Sequence, residues 1–196
     1  METPASQATP RWNPLDQSLF ENRIIQISGG VDSDMADRVV KQLLAMDASD
    51  PNRPIYLFIN SPGGEVTSGF AIFDTAQFIR PDIYTVVNGL AASMGSLIAL
   101  CAKKERRFAL PNSKFLIHQP LISGVLRGAA SDLEIHAKDI IQLKEKINRL
   151  YAQETGRPYE EIQRATDRDK WLEADEAQKF GLISKIVTKF SDVFKK

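Results

Sequence analysis

A chain of 196 residues, 43% of them hydrophobic, can bury one substantial core and is short for two. Lysine plus arginine and aspartate plus glutamate number 25 each, so no global charge directs the chain to nucleic acid or an anionic membrane, and no apolar run approaches the roughly 20 residues of a spanning helix. The single cysteine, Cys101, cannot close an internal disulfide and reads as a small core hydrophobe; with only His118 and His136 beside it, no metal or cofactor is expected.

Residues 1–10 are polar and lack the apolar core of a leader, and residues 1–16 read as a loose segment ahead of one domain over 17–196, with a cytosolic location as the default. Residues 23–27 predict a strand, and 32–46 a helix with Val39, Val40, Leu43 and Leu44 inward. A strand over 55–60 runs into the turn Ser61-Pro62-Gly63-Gly64, and the helix over 66–79 must stop before Pro81. Residues 83–87 are rich in β-branched side chains and predict a buried strand, while 94–102 predict a compact apolar helix. Short strands follow at 107–110 and 115–118, the second stopped by Gln119-Pro120. After a loop over 121–130 comes a long helix, about 132–154, capped by Ser131 with Glu134 closing a capping box, and ended by Gly156. Its apolar stripe takes in Leu133, Ala137, Ile140, Leu143, Ile147 and Leu150; Ile135 and Ile141 fall outside it and imply a second contact surface. A short helix over 173–180 closed by Gly181, then a strand over 182–187, complete an α/β pattern of layered strands covered by helices.

Ser93 lies at the turn between the strand over 83–87 and the helix over 94–102. There the first helical N–H groups have no partner within the helix and would meet an oxyanion forming beside the serine. The same position suits an ordinary N-cap, so chemistry at Ser93 needs partners. A serine hydroxyl attacks an amide at neutral pH only when an imidazole takes its proton, and two histidines are on offer. His136 sits off the apolar stripe of the long helix; His118 ends a strand, where loops gather functional groups. The carboxylate that would orient the imidazole is not selected by spacing among 25 candidates. Ser61–Gly64 alone reads equally as a plain turn.

Four motifs in order, I-N-S-P-G-G at 59–64, A-A-S-M-G at 91–95, L-P-N-S-K-F-L-I-H-Q-P at 110–120 and T-D-R-D at 166–169, resemble those of the ClpP family, the proteolytic subunits of the ATP-dependent Clp protease. The similarity runs from about Arg23 to Val187. It implies the ClpP/crotonase-like ββα-superhelix with the helix at 132–154 as a protruding handle, and serine endopeptidase activity on peptides and unfolded proteins. Matched position by position, Ser93 is the nucleophile, His118 the general base and Asp169 its orienter, with the N–H groups of Gly64 and Met94 forming the oxyanion hole. The resemblance further implies two stacked heptameric rings, a tetradecamer, with Arg168 pairing across the ring interface. It also implies an AAA+ unfoldase docked at Tyr56, Phe58, Val86, Phe108, Leu110 and Val187, and the chain has no G-x-x-x-x-G-K-[ST] pattern with which to bind ATP itself.

Three departures bear on function. The segment before Leu15 reads Q-A-T-P-R-W-N-P where the family carries a V-I-E-Q-T-S-R-G-E-R-like stretch that lines the axial pore, and the loop over 121–131 is about two residues longer than usual. Glu65 places a charge beside the oxyanion turn, where it would raise the His118 pKa or repel acidic substrates. Two other readings follow: a mainly structural subunit of a mixed ring, and a crotonase-type acyl-CoA hydratase or isomerase with Glu65 as its acid/base.

Overall fold

The computed structural model describes residues 13–121 and 128–194. After α1 (Pro14–Glu21), the strands β1 (Ile24–Ser28), β2 (Ile55–Ser61) and β3 (Ile83–Ala92) lie side by side and parallel, since the helices α2 (Ser33–Ser49) and α3 (Val66–Phe78) return the chain to the same edge each time. β3 changes partners along its length: Thr85, Val86 and Val87 pair with β4 (Arg107–Ala109), and Leu90, Ala91 and Ala92 with β5 (Lys114–Ile117). The sheet therefore forks. β7 (Lys185–Ile186) extends one branch on β4, and β6 (Lys170–Glu173) joins the other, antiparallel to β5. The helices α4 (Met94–Ala99), α5 (Ala130–Thr155), α6 (Tyr159–Thr166) and α7 (Ala174–Phe180) complete the α/β architecture.

Strand alternation gives the sheet two apolar faces. Ile55, Leu57 and Ile59 meet Val39 and Leu43 of α2 and Ile72 of α3 in the main core, into which the buried Cys101 also packs. Tyr56, Val86, Phe108 and Val187 point the other way and form a second cluster. The buried Arg107 ties β4 to the end of α5, donating to the Glu154 carbonyl and pairing with its carboxylate, a cation at the negative end of the helix dipole. Among the described residues no helix is long and apolar enough to cross a membrane.

Several boundaries differ from the sequence reading. α1 covers residues 14–16, expected to be loose; its Pro14 start is capped by the Asn13 side chain, and none of its residues is buried, so it leaves no apolar period to read. The rest of that segment, residues 1–12, lies outside the described residues, as do 122–127 of the longer loop. On α2 the buried set is Met35, Ala36, Val39, Leu43 and Met46, whereas Leu44 is 46% exposed, because the stripe lies one position N-terminal of the Val40 and Leu44 choice. β3 runs past Asn88-Gly89, which resembles a turn; Gly89 is needed instead for passage over Asn60, whose Oδ1 would lie 2.5 Å from an added Cβ. α5 starts at Ala130 with Ala129 as an uncapped N-cap, so Ser131 falls inside the first turn and the expected capping box does not form. Its buried residues, Ile147, Asn148, Tyr151 and Thr155, all belong to the C-terminal half, and Leu133, Ile135 and Ile141 are exposed. α6 and β6 had no counterpart in the sequence reading.

Candidate active site

Ser93 follows β3 directly and precedes α4, and its backbone has φ 53° and ψ −122°. For a residue with a Cβ this is a sparsely populated conformation costing about 1–3 kcal/mol, stable only where the surroundings over-determine it. The surroundings do so. The Ser93 N–H donates to the Leu116 carbonyl of β5 at 2.9 Å, and the Ser93 carbonyl accepts from Ser96 N at 3.0 Å and Ser96 Oγ at 2.7 Å. Ser96 Oγ lies 2.6 Å from the hydroxyl of Tyr151, a fully buried phenol of α5 whose pKa burial pushes well above its usual value. Neither Ser96 nor Tyr151 was singled out from sequence; a polar tip among core residues on α5 was the only signal.

The antiparallel β5–β6 pair brings the next two groups together. Its last register pair is Ile117 with Lys170, so His118, one residue beyond, and Asp169, one residue before, leave the same end of the ladder side by side. His118 Nδ1 lies 3.0 Å from Asp169 Oδ1, and its Nε2 lies 2.9 Å from Ser93 Oγ. An ionised carboxylate only accepts, so Nδ1 carries the proton and Nε2 is free to accept from the serine hydroxyl. The loop bearing Asp169 is held to the strand end, with Gln119 N–H donating to the Thr166 carbonyl at 2.6 Å and Gln119 Nε2 to the Asp167 carbonyl at 2.7 Å. The histidine side chain is 13% exposed and the aspartate 61%. His136 lies apart, exposed on α5.

The turn after β2 approaches this group from the other side. Gly63 has φ 89° and Gly64 φ 153°; a Cβ on Gly63 would come 2.7 Å from Ser93 Cβ, and one on Gly64 2.2 Å from the Val31 carbonyl oxygen. Only glycine fits such an approach. Ser61 Oγ fixes the turn, donating to the Gly29 carbonyl at 2.7 Å and accepting from Gly63 N–H at 3.1 Å. Val31 takes up the Gly63 carbonyl and the Glu65 N–H, so the Gly64 N–H between them faces away from that ladder, while Met94 is the first residue of α4, with no helical carbonyl a turn before it.

Glu65 heads α3, where its carboxylate accepts from Ser68 Oγ at 2.5 Å and Thr67 Oγ1 at 2.9 Å. These hydrogen bonds, that of Ser68 foremost, hold it below the usual carboxylate range. Arg168 is exposed on the loop beside Asp169. Of the six expected docking positions, Tyr56, Val86, Phe108 and Val187 are buried in the second apolar cluster with Phe58 packed against it, whereas Leu110 stands outside, 37% exposed beyond the end of β4.

The Clp protease family model matches residues 6–190. Over 179 residues the chain is 45% identical to the ATP-dependent Clp protease proteolytic subunit 1 of Protochlamydia amoebophila (strain UWE25), a match covering 91% of this chain and 87% of that protein.

Proposed function

The chain belongs to the Clp protease family, and on that premise we propose that Ser93, His118 and Asp169 are the catalytic residues of a serine endopeptidase. It is the proteolytic core subunit of a Clp protease, acting on polypeptides in company with a Clp-type ATPase and assembled in rings. Nothing supports the acyl-CoA alternative.

In the proposed reaction Ser93 Oγ attacks the scissile carbonyl carbon while His118 Nε2 takes its proton. Asp169 holds the Nδ1–H tautomer and offsets the imidazolium charge. The N–H groups of Gly64 and Met94 receive the oxyanion, each such donor being worth about 10²–10³ in rate. His118 then protonates the leaving amine, and water, deprotonated by the same imidazole, releases the acyl group. The observation that carries this reading is the continuous Ser93–His118–Asp169 contact at 2.9 and 3.0 Å. Ser93→Ala should abolish peptide cleavage and labelling by a fluorophosphonate, with a rate loss of about 10³–10⁶; a variant that still labels would remove Ser93 from the role.

The exposed apolar residues on the first turns of α5 support a ring-stacking role for this helix, with Arg168 at the ring interface. A mixed ring is part of the proposal. The segment before Leu15 lacks the family's pore-lining stretch, and the expected docking face is covered by the chain's own C-terminal residues, so a paralogous subunit would supply the axial loops and the open face.

A further inference from the structure

β7 is the last element anchored to the sheet by its backbone, and the final such bond runs from Val187 N–H to the Ala109 carbonyl at 2.9 Å. Beyond it the chain folds back over the second apolar face. Asp192 accepts from the N–H groups of Thr188 at 3.3 Å and Lys189 at 3.2 Å, closing a single turn of 3₁₀ helix at Phe190–Asp192. That turn drops Val193 into the cluster with Tyr56 and Val86, where it is 4% exposed. The ring of Phe194 lies 4.1 Å from that of Tyr56 and 6.3 Å from that of Phe58, and Phe190 stacks on its outer side at 3.9 Å with 4° between the planes. Phe190 itself is 70% exposed.

The manner of attachment decides what this segment can do. The backbone bonds donated by Asp192, Val193 and Phe194 all end within the segment, on Lys189 and Phe190, and Lys185–Asp192 is a partly exposed pair at 3.8 Å. Side-chain packing of Val193 and Phe194 is therefore the main hold on the sheet, with a water-facing aromatic ring above it, and such a segment lifts off without breaking any strand pairing.

We propose that residues 188–194 are a displaceable cover, occupying in cis the apolar face that receives an aliphatic or aromatic docking segment of the Clp-type ATPase in trans. The inference rests on the docking reading of Tyr56, Phe58, Val86, Phe108 and Val187. A cover closed about nine-tenths of the time raises the apparent dissociation constant about tenfold, because only the open fraction binds. The face is then available in proportion to how readily the aromatic stack opens.

The test uses the assembled full-length protein, a Clp-type ATPase and a folded, tagged substrate. In the double variant Phe190→Ala, Phe194→Ala, the ATPase concentration for half-maximal degradation should fall about tenfold, with unassisted hydrolysis of a short peptide unchanged. A truncation after Thr188 supplies a second route should the double variant misfold. An unchanged or raised half-maximal concentration in a variant of normal size overturns the cover. Phe58→Ser in the same assay separates the two readings. If it weakens ATPase-dependent degradation by a larger factor than peptide cleavage, the docking face stands and the tail result alone decides the cover; if it affects both equally, the docking reading falls and the cover with it.

Discussion

Asp169 is an orienting carboxylate that stands mostly in water, 61% exposed, so its hold on His118 comes from the geometry of one hydrogen bond rather than from a desolvated charge. Replacing Asp169 by asparagine keeps size and shape, but the amide can present its NH₂ to Nδ1, and the imidazole then places its own proton on Nε2, facing the serine. Since only part of the lost effect is electrostatic, Asp169→Asn should slow fluorophosphonate acylation by about 10³, short of the ~10⁴ found for buried orienting aspartates. Ring assembly, followed by size analysis, should persist. A variant that acylates at the parent rate would show that His118 is oriented by something else. The chemistry of these residues was partly legible: Ser93 from its strand-to-helix turn, and His118 because only one other histidine competes with it. Asp169 was legible only through the T-D-R-D motif, since its partnership with His118 comes from the β5–β6 register, which brings together these two side chains 51 positions apart.

At the scale of elements, α5 is divided. Its C-terminal half is pinned by Ile147, Asn148 and Tyr151, while Leu133, Ile135 and Ile141 stand in solvent along its projecting half. A monomer gains nothing from leaving those side chains in water, and a second ring would cover them. Ile141→Asp should therefore leave the fold intact by circular dichroism, because the site touches no core. It should halve the assembled mass and lower peptide hydrolysis at least tenfold, since a charge buried in an apolar interface without a partner is costly. Retention of the double-ring mass would place the stacking surface elsewhere. The exposure of Ile135 and Ile141 could be read from their lying off the stripe, and the residue pattern likewise gave α3 and the strands over 55–60 and 83–87. What escaped had weak local signals: α1 buries nothing, α6 has only Ile162 and Thr166 inside, and β6 alternates around a single buried Leu172. The start of α5 was misplaced because Ser131 and Glu134 fit a capping box that the backbone, already helical from Ala130, cannot use.

For the whole molecule, the mixed ring proposed above implies a division of labour between unlike subunits. Degradation of a folded, tagged substrate by this subunit and a Clp-type ATPase should rise several-fold when a second family member is added, in proportion to mixed rings seen by mass. Full-rate processive degradation by this chain alone would refute the division. The forked sheet carries a different consequence, one of timing. β3 is hydrogen-bonded to β2 along most of its length, to β4 through Thr85–Val87 and to β5 through Leu90–Ala92, so no branch can settle until this strand is in place, and all its pairings are non-local in sequence. Its amides should be among the last to exchange with deuterated solvent, opening only with global unfolding, while those of residues 188–194 exchange early. The strained backbone at Ser93 then hangs from the slowest part of the molecule to open, and a partly unfolded chain that has shed α1, residues 188–194 or the tip of α5 would still hold its serine in place.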